Sequence, residues 1–184
     1  SKETLAEIGR LCAKYHVTVI ADEIHCDLTE PGYAYVPFAS ASELCRDISI
    51  TCVAPSKAFN IAGLQGAAVI AADEALRHKV RRGLNTDECA EPNAFAVQAA
   101  IAAFTEGGEW LDALRAYIAG NKRFVRQFLA EHLPAMTMVD GHATYLCWLD
   151  CRRICADDRQ LAVRIRQETG LFLSNGSQYG AAGQ

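Results

Sequence analysis

Three short apolar runs constrain the fold of this chain more than any other feature. They span residues 17–21, 48–54 and 66–72. Each run is too short for a helix and too uniformly apolar for a strand with one face in water, which is typical of buried strands in a parallel sheet. Apolar residues three and four positions apart predict a helix before the first run, up to about His16, and Asp73 is placed to cap a helix after the third. The sequence therefore predicts an α/β fold.

A long periodic segment at residues 109–132 separates two regions of the chain. Pro92 is placed in the first turn of an alanine-rich helix, and the helical pattern breaks at Gly107. We place a domain boundary there, with residues 1–107 in a larger domain. Residues 108–184 then form a smaller α+β domain that begins with the long helix.

The smaller domain is predicted to contain strands and one packed helix. Strands are expected at residues 136–139, 144–149 and 171–174, and a helix at residues 157–168 is closed by Gly170. This content supports a unit separate from the larger sheet.

Charge and hydropathy exclude several classes of partner. Lys and Arg number 18 against 22 Asp and Glu, which gives a net charge of −4, and no basic stripe is present. Nucleic acid is therefore not an expected partner. No apolar stretch approaches the ~18 residues of a membrane span, and the chain opens on Ser1-Lys2-Glu3 without a leader pattern. We expect no membrane association and a cytoplasmic location.

The eight cysteines are expected to be reduced thiols. They include no Cys-x-x-Cys, and most lie in apolar segments, where a free cysteine behaves as a small buried hydrophobe. Cys147, Cys151 and Cys155 are closest together, but no histidine has the spacing of a zinc site. We expect no metal site.

Ionisable residues follow two of the predicted strands. Asp22-Glu23 end the first, and Ser56-Lys57 follow the second after Pro55. If the two strands are parallel neighbours, Asp22 and Lys57 emerge at the same sheet edge, where ligands of α/β proteins bind. Taken singly, each is more often a solvated side chain, and this reading stays open for both.

A lysine and a carboxylate at one sheet edge match the needs of pyridoxal phosphate. A lysine among apolar neighbours loses its proton readily because burial disfavours its charged form, and it can then form a Schiff base. A carboxylate keeps the pyridine nitrogen of the cofactor protonated, so that the ring accepts carbanion electrons.

The chain resembles fold-type I pyridoxal-phosphate enzymes of aminotransferase class I/II, and most closely the MalY-type cystathionine β-lyases. The matching segments are residues 22–28 (Asp-Glu-Ile-His-Cys-Asp-Leu), 37–38, 54–64 (Ala-Pro-Ser-Lys-Ala-Phe-Asn-Ile-Ala-Gly-Leu), 109–112 and 143–150. The resemblance implies the C-terminal part of a large domain with a mixed, mainly parallel sheet, plus most of a small α+β domain. It also implies α,β-elimination of cystathionine or a cysteine S-conjugate to pyruvate, ammonia and a thiol.

The resemblance also assigns roles to site residues. It implies that Lys57 binds the cofactor covalently and then moves the substrate α-proton, and that Asp22 pairs with the pyridine nitrogen. Ser56 matches a cofactor-phosphate contact. His25 stands where many related aminotransferases have a tyrosine near the phenolic oxygen of the cofactor, and a structural role at the strand end is the alternative.

Gln65 lies just after the matched segment 54–64, whereas Asn60 and Tyr145 lie inside matched segments. Gln65 stands where many aminotransferases have a phosphate-binding arginine, which the β-lyase subgroup tends to lack. Asn60 and Tyr145 have no evident reason to contact the cofactor, and we interpret them as packing residues.

The resemblance further implies that the chain is part of a longer enzyme, and a homodimer. A glycine-rich phosphate turn and a ring-stacking aromatic are expected upstream of Ser1, and an arginine for the substrate carboxylate beyond Gln184. Residues 1–184 alone are accordingly expected not to turn over substrate. An aminotransferase is the alternative activity, and a non-catalytic fragment or interaction module is the alternative from a different class.

Overall fold

The structure, a computed structural model, describes residues 1–183, and these residues form six α-helices and five β-strands. The helices are α1 (Lys2–Lys14), α2 (Glu43–Asp47), α3 (Glu74–Thr86), α4 (Ala96–Glu106), α5 (Gly108–His132) and α6 (Asp158–Thr169). The strands are β1 (Val19–Asp22), β2 (Ser49–Val53), β3 (Ala68–Ile70), β4 (Thr137–Met138) and β5 (Leu149–Asp150). No helix within residues 1–183 is long and apolar enough to cross a membrane.

The chain divides into two compact units. The first contains residues 1–117 and 142–144, and the second contains residues 118–141 and those from 145 onward. The division falls within α5, and the domain boundary predicted between residues 107 and 108 stays a prediction.

The first unit is built on a mixed sheet with the strand order β1-β2-β3. Strands β1 and β2 are parallel, with Val19 opposite Ser49 and Asp22 opposite Cys52. Strand β3 runs antiparallel to β2. The predicted α/β class with a mixed sheet is confirmed.

Side-chain caps fix the ends of several helices where the sequence indicates them. The Asp73 carboxylate accepts a hydrogen bond from the Leu76 N–H at 2.7 Å and starts α3. Asp157 does the same for α6 by accepting from the Arg159 and Gln160 N–H groups. Helix α6 ends at Gly170, whose φ of 76° is in the left-handed region that favours glycine.

The core of the first unit lies between α1, α2 and the sheet. Phe38, Ala41 and Cys45 are buried there, and Leu5 and Val19 pack against them. The segment that connects β1 to β2 thus supplies most of this core, because parallel strands require a crossover and the crossover here folds back onto the sheet.

The second unit pairs β4 with β5 in an antiparallel ladder and contains α6. On its part of α5, Ala119, Lys122 and Leu129 are buried. The buried Lys122 ammonium donates to the Gly141 carbonyl at 3.3 Å.

The burial predicted for the three apolar runs was wrong for part of the sheet. Every residue of β3 is exposed, and the Ile20 side chain in β1 is 70% exposed. Burial on both faces of a sheet needs a covering layer on each, and the described residues leave these faces open.

Three predicted element bounds were also wrong. Helix α4 begins at Ala96 rather than Pro92, because the Asn93 side chain accepts from the Phe95 N–H at 3.0 Å and forms a local turn instead. Of the strand expected at residues 144–149, only Leu149 lies in a strand, β5, and Thr144 has a φ of 58°, outside the extended region. Residues 171–174 pair with no strand in the described chain.

Two helical glycines provide a test of this packing. A Cβ at Gly9 of α1 would overlap the Sγ of the buried Cys45, whereas a Cβ at Gly83 of α3 would meet nothing within 4 Å. We expect Gly9→Ala to lower the free energy of unfolding by about 1–3 kcal/mol, as overpacking does. We expect Gly83→Ala, the matched control, to raise it by roughly 0.5–1 kcal/mol. Urea denaturation measures both, and equal effects would contradict the α1–α2 contact.

Candidate active site

The carboxyl ends of β1 and β2 lie side by side at one edge of the sheet. Asp22, the last residue of β1, is opposite Cys52 of β2. The pairing continues one residue further, since the Glu23 N–H donates to the Cys52 carbonyl at 2.9 Å. The condition stated from the sequence, that these strands are parallel neighbours, is therefore met. Asp22 and the segment that follows β2 share one edge.

The segment after β2 forms one tight turn that contains Lys57. The Phe59 N–H donates to the Pro55 carbonyl at 2.9 Å, and the Ile61 N–H donates to the Ser56 carbonyl at 3.1 Å. Asn60 closes the turn with a φ of 55°. This is the way a helix end is closed by a left-handed residue. Asn60, interpreted from the sequence as a packing residue, thus has a backbone role.

The turn is buried on one side and open on the other. Ala54 and Ala58 are 6% and 0% exposed, whereas Lys57 is exposed and Ser56 is half-buried. The turn is therefore held in place by its apolar residues while the amine faces outward. The desolvation of Lys57 that the sequence argument invokes is not provided by the described residues.

An aromatic cluster anchors the same turn. The Phe59 ring stacks on Trp110, with ring centroids 5.8 Å apart, and meets the Phe104 ring edge-on at 6.0 Å. Trp110 lies in segment 109–112, one of the segments that carry the family resemblance. Its contact with Phe59 gives that segment a physical connection to the lysine turn.

Glu23 is a buried charged residue that the sequence analysis left without a role. It is 5% exposed, and its Oε1 accepts from the Phe38 N–H at 2.8 Å. Burial raises the pKa of Tyr35 to about 12, and the nearby Glu23 carboxylate adds to the rise through its charge and a hydrogen bond. The sequence signal for the burial of Glu23 is the alternation of side chains along a strand. If the Asp22 side chain is exposed at the edge, the Glu23 side chain faces the core.

His25 lies in consecutive turns that follow β1. The Cys26 N–H donates to the Glu23 carbonyl and the Leu28 N–H donates to the His25 carbonyl, each at 3.0 Å. His25 is half-buried. The turns thus place His25 at the same edge as Asp22, close in the chain to the end of β1.

The loop after these turns is tied to the first unit at several points. The Arg115 guanidinium donates to the carbonyl and the hydroxyl of Thr29 at 2.7 and 3.0 Å. The Tyr33 ring stacks on His142 with centroids 3.8 Å apart. These contacts hold the segment between β1 and α2 against α5 and residues 142–144.

Gln65 belongs to the first unit and Tyr145 to the second. Gln65 ends a short 3₁₀ helix, Ala62–Leu64, with a φ of 53°, and its side chain is exposed. Tyr145 is 46% exposed.

The groups at this edge fit the chemistry of pyridoxal phosphate. An amine, a carboxylate and a hydroxyl come from Lys57, Asp22 and Ser56, and these suit an aldehyde, a protonated ring nitrogen and a phosphate oxygen respectively. By contrast, residues 1–183 contain no group of three or more His, Cys, Asp or Glu able to hold a metal ion. The eight cysteines are all free thiols in the described chain.

Comparisons with known proteins identify the family of the chain. The family model for aminotransferase class I and II matches residues 1–184. Cystathionine beta-lyase PatB of Bacillus subtilis (strain 168) is 43% identical over 184 residues, which is 100% of this chain and 48% of the relative. Protein MalY of Escherichia coli (strain K12) is 31% identical over 183 residues, 99% of this chain and 46% of the relative.

A solved structure gives the same result for the fold. The crystal structure of cystalysin from Treponema denticola, which contains a pyridoxal 5'-phosphate cofactor, superposes with a TM-score of 0.94 at 29% identity. The match covers 100% of this chain and 47% of the cystalysin chain. The chain therefore spans about half the length of the curated relatives it matches. The resemblance to cystathionine β-lyases stated from the sequence is confirmed.

The raised pKa of Tyr35 predicts a change in stability at alkaline pH. Because the folded protein favours the neutral phenol, this stabilisation is present below the ordinary tyrosine pKa of about 10. It is lost as the pH rises through about 12. We expect wild type to lose more unfolding free energy than Tyr35→Phe over this range, as measured by urea denaturation. Tyr117→Phe, at an exposed position of α5, is the control. The same alkaline loss in wild type and Tyr35→Phe would contradict the prediction.

Proposed function

Because this chain belongs to the aminotransferase class I and II family, we propose that the protein carrying it is a pyridoxal-phosphate-dependent carbon–sulfur β-lyase. The observation that carries the proposal is the parallel pairing of β1 with β2, which places Asp22 and the Lys57 turn at one sheet edge. Similarity to a protein named cystathionine beta-lyase favours elimination over amino transfer. The proposed substrate is cystathionine or a cysteine S-conjugate, and the products are pyruvate, ammonia and a thiol.

Each site residue has a proposed task. The Lys57 amine would hold the cofactor aldehyde covalently and would accept the proton of the substrate Cα. The Asp22 carboxylate accepts a hydrogen bond from the ring nitrogen and keeps that nitrogen charged. The Ser56 hydroxyl donates to a phosphate oxygen. His25 donates a hydrogen bond toward the phenolic oxygen.

The cofactor, when bound, supplies a ring that accepts the electrons left on Cα. The residues of the chain supply the proton acceptor, the positive charge on the ring nitrogen and the orientation. The overall reaction would release a thiol and an enamine, and the enamine reacts with water to give pyruvate and ammonia.

The setting of the enzyme is also part of the proposal. A homodimer is supported by the many large apolar side chains left exposed in the described chain, such as Ile20, Phe95 and Phe124. A cytoplasmic location is supported by the free thiols, which persist in a reducing compartment.

The activity is tested with the full-length protein that carries these residues. We expect added pyridoxal phosphate and cystathionine to yield pyruvate and a free thiol in equal amounts. Borohydride reduction and peptide mapping are expected to place the pyridoxyl group on Lys57, while exposed Lys79 of α3 serves as the internal control. Transfer of the amino group to a 2-oxo acid without thiol release would establish the aminotransferase alternative. Label on another lysine would overturn the assignment of Lys57.

The role of Asp22 has its own test. Loss of a charge-assisted partner at a developing charge costs about 3 kcal/mol, which corresponds to a kcat on the order of 100-fold lower for Asp22→Ala. Asp47→Ala, at an exposed aspartate of α2, is the matched control and is expected to leave kcat unchanged. Steady-state kinetics at saturating cofactor measures both. A kcat for Asp22→Ala equal to that of the control would identify Asp22 as a solvated strand end.

A further inference from the structure

An aromatic side chain of the turn that carries Lys57 contacts the junction of α4 and α5. Phe59, two residues after the lysine, lies between the rings of Phe104 and Trp110. Phe104 is in the last turns of α4 and Trp110 is in the first turn of α5. The ring therefore connects the lysine turn to the point where one helix ends and the next begins.

The helix junction leaves room for this ring only because residue 107 is glycine. A Cβ at Gly107 would lie 2.5 Å from the Phe59 Cε1 atom and 3.1 Å from its Cδ1 atom. The backbone itself does not demand glycine there, since its φ is −82°. Glycine is required there by the close approach of the Phe59 ring and by that of the Ala103 carbonyl, which lies 2.5 Å from the same Cβ position. The neighbouring Gly108 has nothing within 4 Å of a Cβ.

A displacement of the Phe59 ring would move the lysine. The turn is closed by two backbone hydrogen bonds, from Phe59 to Pro55 and from Ile61 to Ser56, so that it moves as a unit. Ala58, between Lys57 and Phe59, is 0% exposed and has no room to absorb a shift. A push on the ring is therefore transmitted to the residue that carries the amine.

We propose that Phe59 and Gly107 are positioning residues for Lys57: the glycine admits the ring, and the ring sets where the amine stands at the sheet edge. This inference rests on the proposed function of Lys57 and deepens it. Both residues act on the amine through the turn. A misplacement of about 1 Å at a reacting group lowers a rate on the order of 100-fold.

The experiment is a double-mutant cycle in the full-length protein, with Gly107→Ala, Phe59→Ala and the double variant. Gly108→Ala is the matched control. Three quantities are measured: the rate at which borohydride fixes pyridoxal phosphate on Lys57, the dissociation constant of the cofactor, and kcat and KM separately. Circular dichroism establishes that each variant is folded, and Phe59→Leu replaces Phe59→Ala if the latter does not fold.

We expect Gly107→Ala and Phe59→Ala each to slow labelling of Lys57 and to lower kcat on the order of 100-fold, with KM within about threefold of wild type. Gly108→Ala is expected to behave as wild type. Because the effect of Gly107→Ala on Lys57 passes through the Phe59 ring, the double variant should show less than the product of the two single effects. Multiplied effects, or unchanged labelling in a folded Gly107→Ala variant, would overturn the inference. Absence of label on Lys57 in wild type would overturn the proposed function instead.

Discussion

The parallel pairing of β1 with β2 is the constraint on which the rest of the first unit depends. Parallel strands cannot be joined by a tight turn, so the chain must leave the sheet and return. The return path brings Phe38, Ala41 and Cys45 onto the sheet and against α1, which forms the core. The same pairing puts both strand ends at one edge. The core and the candidate site are therefore two consequences of one register, in which Asp22 lies opposite Cys52.

Two neighbouring carboxylates at the end of β1 lie in different surroundings, because side chains alternate between the two faces of a strand. Asp22 is exposed at the edge, whereas Glu23 is buried and accepts from the Phe38 backbone N–H. A buried carboxylate is costly unless it is hydrogen-bonded, so Glu23 requires the segment around Phe38 to lie where it does. Tyr35, whose pKa is raised, lies beside the same carboxylate. Glu23 thus binds the crossover segment, while Asp22 accepts from the Ile24 N–H at 3.2 Å through Oδ1 and remains exposed at the edge.

Local signals in the sequence predicted more of this structure than distant ones. Asp73 and Gly170 mark helix ends through contacts within their own helix, and both were predicted. The sheet edge with Asp22 and Lys57 followed from strand type and order. Two features were not predicted. The late start of α4 comes from a local turn at Asn93 that competes with the helix. The contact between Phe59 and Trp110 joins residues far apart in the sequence. No helical or strand period encodes either.

The exposure of Asp22 and Lys57 to water determines how strongly their charges interact with a ligand at the sheet edge. Two opposite unit charges about 4 Å apart have an attraction energy of about 1 kcal/mol in water and about 4 kcal/mol at the effective dielectric constant near a protein surface. Asp22 and Lys57 are both exposed in the described chain, so water screens their effect on any group between them. A planar ring placed at this edge would exclude that water and strengthen each interaction. The geometry must therefore be fixed before the ligand arrives, and here the β1–β2 register and the closed turn around Lys57 fix it.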